Sequence, residues 1–98
     1  MSNPIDRQQV ERALREKGFV SVERGRDHRF YYFHHKGKKT LAKTKVSTGS
    51  AYKQYDDSLF RLMRNGLQLD KTRQVRDLLE CPLSESDYVD ILVKRGCL

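Results

Sequence analysis

The sequence predicts an α+β fold in which a three-stranded antiparallel sheet stands between helices, in the order α-β-β-β-α, with two further short helices after it. Apolar residues recur at helical spacing near the start of the chain and again after residue 56. Between them, residues 19–46 hold short aromatic or β-branched runs separated by turn signals. With 98 residues the chain fits one domain, which we divide into a core over 4–67 and a helical extension over 68–98.

The first helix is predicted over residues 4–17. Asn3 is a suitable cap, Pro4 is tolerated at the first helical position, and Gly18 provides a left-handed stop. Its narrow apolar face consists of Val10, Ala13 and Leu14.

Three strands are predicted next, at residues 19–23, 28–34 and 40–46. The middle strand is strongly aromatic, which is typical of strands. Residues 24–27 have the composition of a turn, and residues 35–38 form a tight hairpin turn around Gly37.

The second helix is predicted to open at Asp56 or Asp57 and to stop at Gly66. We expect its buried face to carry Leu59, Leu62 and Met63.

The extension is predicted to hold two short helices. Asp70 is the expected cap of the first, and Pro82 ends it. Ser84 and Asp87 resemble a capping box for the second, which ends at Gly96. Their apolar positions are Val75, Leu78, Leu79, Tyr88, Ile91, Leu92 and Val93. We expect these faces to form an added packing layer; a partner or self-association interface is the alternative.

The composition excludes some classes of protein. No apolar run approaches the roughly 18 residues of a membrane span, and the polar start of the chain is unlike a signal peptide. We therefore expect neither a membrane nor a secreted protein. Cys81 and Cys97 lie far apart without a CxxC motif, so reduced thiols of a cytoplasmic protein are expected.

The positive charge is concentrated in the predicted sheet. The chain carries a formal net charge of +7, and residues 24–53 alone hold nine Lys or Arg against a single Asp. Lys39, Lys43 and Lys45 are separated by even numbers of residues along one strand, so their side chains point to the same face of the sheet. Helices are expected to cover one face of the sheet and to leave the other face open. The lysines, together with Tyr31 or Tyr32, indicate that this open face binds nucleic acid. The alternatives are a solvated surface and an edge strand protected from aggregation by lysines.

The three histidines, His28, His34 and His35, all lie in or beside the middle strand. An imidazole can deprotonate an RNA 2′-hydroxyl, which then attacks its own phosphodiester while nearby cations stabilise the developing charge. This chemistry requires no metal or other cofactor. A metal site at His34 and His35 is disfavoured, because neighbouring strand residues point to opposite faces. A surface or hydrogen-bonded role is the alternative for any one of these histidines.

The order of several short motifs resembles the HicA toxins, small ribonucleases of type II toxin–antitoxin modules. The motifs are Val10-x-x-Ala13-Leu14-x-x-x-Gly18-Phe19, Arg24-Gly25-Arg26-Asp27-His28, Gly37-Lys38-Lys39 and Leu59-x-x-Leu62-x-x-x-Gly66-Leu67. The resemblance covers about residues 5–67.

The resemblance implies a fold like the double-stranded-RNA-binding domain, cleavage of mRNA, and neutralisation by a HicB antitoxin. It also implies a catalytic role for His28, which follows Gly25 at the family's spacing. The expected RNA-binding residues are Arg26, Arg29, Lys38, Lys39, Lys43 and Lys45. Two alternatives stay open: a non-catalytic RNA- or DNA-binding module with the same fold, and an adaptor whose basic face meets an acidic protein.

Overall fold

The structure, a computed structural model, describes residues 4–23, 28–47, 54–80 and 82–98. Its elements are β1 (Ile5–Asp6), α1 (Arg7–Glu16), β2 (Phe19–Glu23), β3 (His28–His35), β4 (Lys38–Ser47), β5 (Gln54–Tyr55), α2 (Asp57–Gly66), α3 (Thr72–Glu80) and α4 (Glu85–Lys94). The predicted α+β class is confirmed. Within these ranges, no helix is both long and apolar enough to cross a membrane.

The main sheet has the strand order β2-β3-β4, and both strand pairs are antiparallel, as predicted. Lys36 and Gly37 form the two-residue turn between β3 and β4, and both have positive φ angles of 53° and 78°. This geometry matches the right-handed twist of the strands and favours glycine at the second position. A register shift between Tyr32 and His34 marks a β-bulge in this hairpin.

The first helix begins later than the sequence predicts. Ile5 and Asp6 form β1, which pairs with Tyr55 and Gln54 of β5, and α1 starts only at Arg7. The side chain of Ile5 is buried, so its burial and its backbone pairing outweigh the helix-start signal of Pro4. The end of the helix is as predicted, with Gly18 at a φ of 96°.

The start of α2 is confirmed, and so are Met63, which is buried, and Leu59, which packs against the core; the prediction is wrong at Leu62. The side chain of Asp56 accepts hydrogen bonds from the backbone N–H groups of the first turn, as a cap does. The buried stripe consists of Phe60, Met63 and Leu67, at helical spacing, whereas 77% of Leu62 is exposed. The close approach of Gly66 to β4 fixes this rotation of the helix: a Cβ at Gly66 would lie 2.4 Å from the carbonyl oxygen of Lys43.

The extension is capped partly as predicted. Ser84 and Asp87 form a complete capping box on α4, and the φ of Gly96 is 76° just beyond it. Asp70 is not the cap of α3. Its side chain pairs with Arg95, while the side chain of Gln74 accepts hydrogen bonds from the N–H groups of residues 70 and 71.

The extension packs into the same hydrophobic core as the first part of the chain. The core cluster includes its residues Val75, Leu78, Leu79, Tyr88 and Leu92. The ammonium group of buried Lys17, just after α1, donates hydrogen bonds to the carbonyl oxygens of Leu78 and Leu83. Tyr88 donates to the carbonyl oxygen of Leu67 at 2.6 Å. Val93, predicted to be apolar and covered, is 54% exposed.

Candidate functional site

The main sheet has one face covered by helices and one open face. Tyr31 and Phe33 of β3 and Ala42, Thr44 and Val46 of β4 face the helices and are buried. Residues of opposite parity face away from the core, as alternation along a strand requires. We call this second surface the open face; it consists of Val20, Val22, His28, Phe30, Tyr32, His34, Lys39, Leu41, Lys43, Lys45 and Ser47.

His28 lies on the open face at the start of β3, and it is exposed. It pairs directly with Ser47, while the next residue pair on the same face is Phe30 with Lys45. His28 and Lys45 are therefore diagonal neighbours, with Cβ atoms about 7 Å apart. A phosphodiester between them can contact both the imidazole and the ammonium group.

Three of the predicted RNA-binding lysines share this face with His28. Lys45 lies opposite Phe30, Lys43 opposite Tyr32, and Lys39 opposite His34. The ammonium group of Lys39 lies 4.7 Å from the centre of the Tyr32 ring, a cation–π distance. The open face thus combines a row of cations on β4 with a row of rings on β3.

The other predicted RNA-binding residues are placed differently. Arg29 alternates with the open-face residues of β3, so it belongs to the covered face. Its guanidinium group pairs with Glu11 at 2.5 Å and with Glu23 at 3.3 Å. Lys38 pairs with His35 and is exposed, but it also points away from the open face. Arg26 lies outside the described residues. The open face therefore takes its lysines from β4 alone.

A hydrogen-bonded cluster of Glu11, Arg29 and Tyr31 lies on the covered face of the sheet, and it was not predicted from the sequence. Glu11 is only 7% exposed, and its carboxylate accepts hydrogen bonds from Arg29 and, at 2.7 Å, from the hydroxyl of Tyr31. Burial and the bond to Glu11 raise the pKa of Tyr31 to about 12, and bonding to Tyr31 and Glu11 raises the pKa of Arg29. The sequence did indicate that Glu11 would be buried, because Glu11 lies one helical turn before Leu14 on the apolar side of α1. This cluster anchors β3 one residue after His28.

The two adjacent histidines point to opposite faces of the sheet. His34 lies on the open face opposite Lys39, while the ring of His35 stacks on Phe33 of the covered face at 6.4 Å. Side chains that point to opposite faces rarely bind the same metal ion, which is why a metal site at His34 and His35 was disfavoured. Over the described ranges, no group of three or more His, Cys, Asp or Glu side chains is placed to hold a metal.

A groove along the outer edge of β4 is a feature that sequence reasoning missed. It lies between β4 and α2 and holds two adjoining cavities of about 410 and 170 Å³. Both cavities are lined by Thr44, Lys45, Leu62 and Met63. Phe30 of the open face lines the smaller one, so the groove opens onto the open face. The helical pattern gave no sign of it, because Leu62 matched a core position.

Comparisons with known proteins leave the family open. No protein-family model, curated protein or solved structure matches the chain. Function is therefore inferred from the geometry and chemistry of the open face.

Proposed function

We propose that this protein is a metal-independent endoribonuclease that binds RNA on the open face and cleaves it with His28. The observation that supports this proposal most strongly is the strand register, which puts exposed His28 on the same face as Lys39, Lys43 and Lys45. The lysines attract the RNA backbone, and the rings between them offer surfaces on which bases can stack.

The proposed reaction is transfer of the phosphodiester to the neighbouring 2′-oxygen. His28 in its neutral form accepts the proton of the 2′-hydroxyl, and the 2′-oxygen forms a new bond to phosphorus. The bond from phosphorus to the 5′-oxygen breaks, and that oxygen takes a proton from the imidazolium or from water. Lys45 stabilises the charge on the non-bridging oxygens. The products are a 2′,3′-cyclic phosphate and a free 5′-hydroxyl.

The finer assignment is a HicA-like toxin with a fold like the double-stranded-RNA-binding domain. It is supported by the succession of α1, the three-stranded sheet β2-β3-β4 and α2, with only the two-residue β5 between β4 and α2. The motif Gly25-x-x-His28 and the position of His28 at the start of β3 also support it. On this proposal the substrate is mRNA in the cytoplasm, and a HicB-like antitoxin is the protein partner. The extension, residues 68–98, then adds α3 and α4 to the core of such a toxin.

The test is cleavage of a labelled RNA in the presence of a chelator, by the wild type and by His28→Ala. We expect the wild type to release fragments that end in a 2′,3′-cyclic phosphate. The rate should fall at least about 100-fold in His28→Ala, which is the lower range for loss of a general acid or base. RNA affinity should stay within a few-fold, because His28 is one contact among many.

His34→Ala is the matched control, because His34 lies on the same face of the same strand, about 20 Å from His28. We expect this variant to cleave at close to the wild-type rate. An oligodeoxynucleotide of the same sequence should bind but remain intact, because it lacks the attacking hydroxyl. Equal cleavage by wild type and His28→Ala contradicts the assignment.

The second candidate is a non-catalytic RNA-binding module with the same open face. One observation favours it: the cations of β4 and the rings of β3 form a surface that can bind RNA without any contribution from His28. Such a module shifts labelled RNA in a gel and leaves it whole. An adaptor for an acidic protein differs from both, because it does not retain RNA even at low salt.

A further inference from the structure

The smaller cavity of the groove has the size and lining of a site for one planar ring. Its volume is about 170 Å³, below the roughly 300–1,000 Å³ of pockets for drug-sized ligands. Phe30 provides an aromatic surface, and Leu62 and Met63 provide apolar walls.

Two cations stand beside this cavity. Lys43 and Lys45 both line it, and as residues two apart on one strand their Cα atoms lie about 7 Å apart. This separation is close to that between consecutive phosphates of one nucleic-acid strand. No acidic residue lines the cavity over the described ranges, so an anionic ligand is favoured.

We propose that this cavity, the β4–α2 pocket, holds one unstacked nucleobase of a single-stranded RNA whose flanking phosphates lie on Lys43 and Lys45. The inference rests on the proposed function and specifies its substrate as single-stranded. A base held in a duplex cannot enter the pocket, because it stays stacked and paired. Leu62 is exposed in the free protein, and the base covers it.

An acidic peptide with one apolar side chain is the other ligand that such a lining fits. Two observations favour the nucleobase. The pocket contains the ring of Phe30, and base stacking on an aromatic ring is the common mode of single-strand recognition. The pocket also lies near His28, since Lys45 lines the pocket and is the diagonal neighbour of His28 in the sheet. A base in the pocket therefore fixes the position of a phosphodiester beside the imidazole.

The experiment measures binding of two RNA oligomers of equal length and charge to the His28→Ala variant. One is oligouridylate, and the other is the same ribose-phosphate chain without bases. We expect the chain without bases to bind about tenfold more weakly or worse, as loss of base stacking implies. Leu62→Ser should lower the affinity for oligouridylate several-fold and leave the affinity for the chain without bases unchanged. A duplex of the same length should respond to Leu62→Ser no more than the chain without bases does.

Val93→Ser is the matched control, because Val93 is also an exposed apolar helix residue, at 54% against 77% for Leu62, and it lies on α4 away from the pocket. It should leave both affinities unchanged. Equal binding of the two oligomers, or no effect of Leu62→Ser, overturns the proposal. If the two oligomers bind equally, and an acidic peptide displaces RNA from His28→Ala but not from His28→Ala/Leu62→Ser, the proposal is overturned and the pocket is assigned to a protein partner. Because His28→Ala is used throughout, these results do not depend on whether the wild type cleaves RNA.

Discussion

At the residue scale, the cluster of Glu11, Arg29 and Tyr31 stabilises the strand that carries His28. A buried carboxylate is tolerated only when it is paired and hydrogen-bonded, and Glu11 has both an ion pair and a hydroxyl donor. Since Arg29 and Tyr31 occupy the covered face, their neighbours His28 and Phe30 must occupy the open one. The parity of β3 is therefore fixed by contacts that lie beneath the site.

The raised pKa of Tyr31 predicts a loss of stability at alkaline pH. A tyrosine whose folded-state pKa exceeds its unfolded value stabilises the fold fully below the unfolded value and loses that contribution as the pH rises. For Tyr31 this range runs from pH 10.0 to about 12. We expect the free energy of unfolding, measured by urea denaturation, to fall over this range.

At pH 8, the free energy of unfolding of Tyr31→Phe should be about 0.5–1.5 kcal/mol lower than that of the wild type, because one hydrogen bond is lost. Above pH 10 it should fall less steeply than that of the wild type. Tyr32→Phe, on the open face, is the matched control and should follow the wild-type curve. If Tyr31→Phe and the wild type fall in parallel above pH 10, Tyr31 does not titrate as described.

At the element scale, the position of α2 depends on a contact between two backbones. Gly66 lies against the backbone of β4 at Lys43, and in this packing Phe60 and Met63 are buried while Leu62 is left at the groove. Helical spacing allowed either Leu59-Leu62-Met63 or Phe60-Met63-Leu67 as the buried face. The choice between them is made by β4, which is distant in sequence, so the local pattern could not decide it.

Gly66→Ala should destabilise the protein by about 1–3 kcal/mol, the usual cost of forcing an atom into a packed site. The new Cβ would meet the carbonyl oxygen of Lys43, so the backbone of α2 or β4 must move. The higher helix propensity of alanine acts in the opposite direction, by at most about 1 kcal/mol. Asn65→Ala, at the neighbouring exposed position, should change the free energy of unfolding by less than about 0.5 kcal/mol. A stabilised Gly66→Ala would contradict the close approach.

At the scale of the whole molecule, much of the fold could be predicted because its signals are local. The hairpin turn at Gly37, the caps at Asp56 and Ser84, and the aromatic strand all depend on neighbouring residues. The pairing of β1 with β5 joins residues about fifty positions apart, and the pattern around Pro4 and Ile5 gives no sign of it.

The candidate site was predictable only in part, for the same reason. Alternation along β4 was sufficient to put Lys39, Lys43 and Lys45 on one face. It could not give the face of His28, because β3 is aromatic on both sides, and the register with β4 supplies that answer. Arg29 looked like one more cation of a basic cluster, and only the buried Glu11 of α1 shows where it points.

The central claim is that a polyanion binds along the lysines of β4, and the salt dependence of RNA binding tests it most directly. The measurement compares wild type with the double variant Lys43→Glu/Lys45→Glu, using a single-stranded RNA over a range of salt concentrations. The control is Lys71→Glu/Lys94→Glu, which makes the same change in net charge at exposed positions beside α3 and on α4. We expect the β4 variant to bind RNA far more weakly than the wild type. Its slope of log affinity against log salt concentration should flatten by about 1.4, which is about 0.7 for each phosphate that the variant no longer neutralises. The control should keep the wild-type slope, and an unchanged slope in the β4 variant, or an equal flattening in the control, would contradict the account.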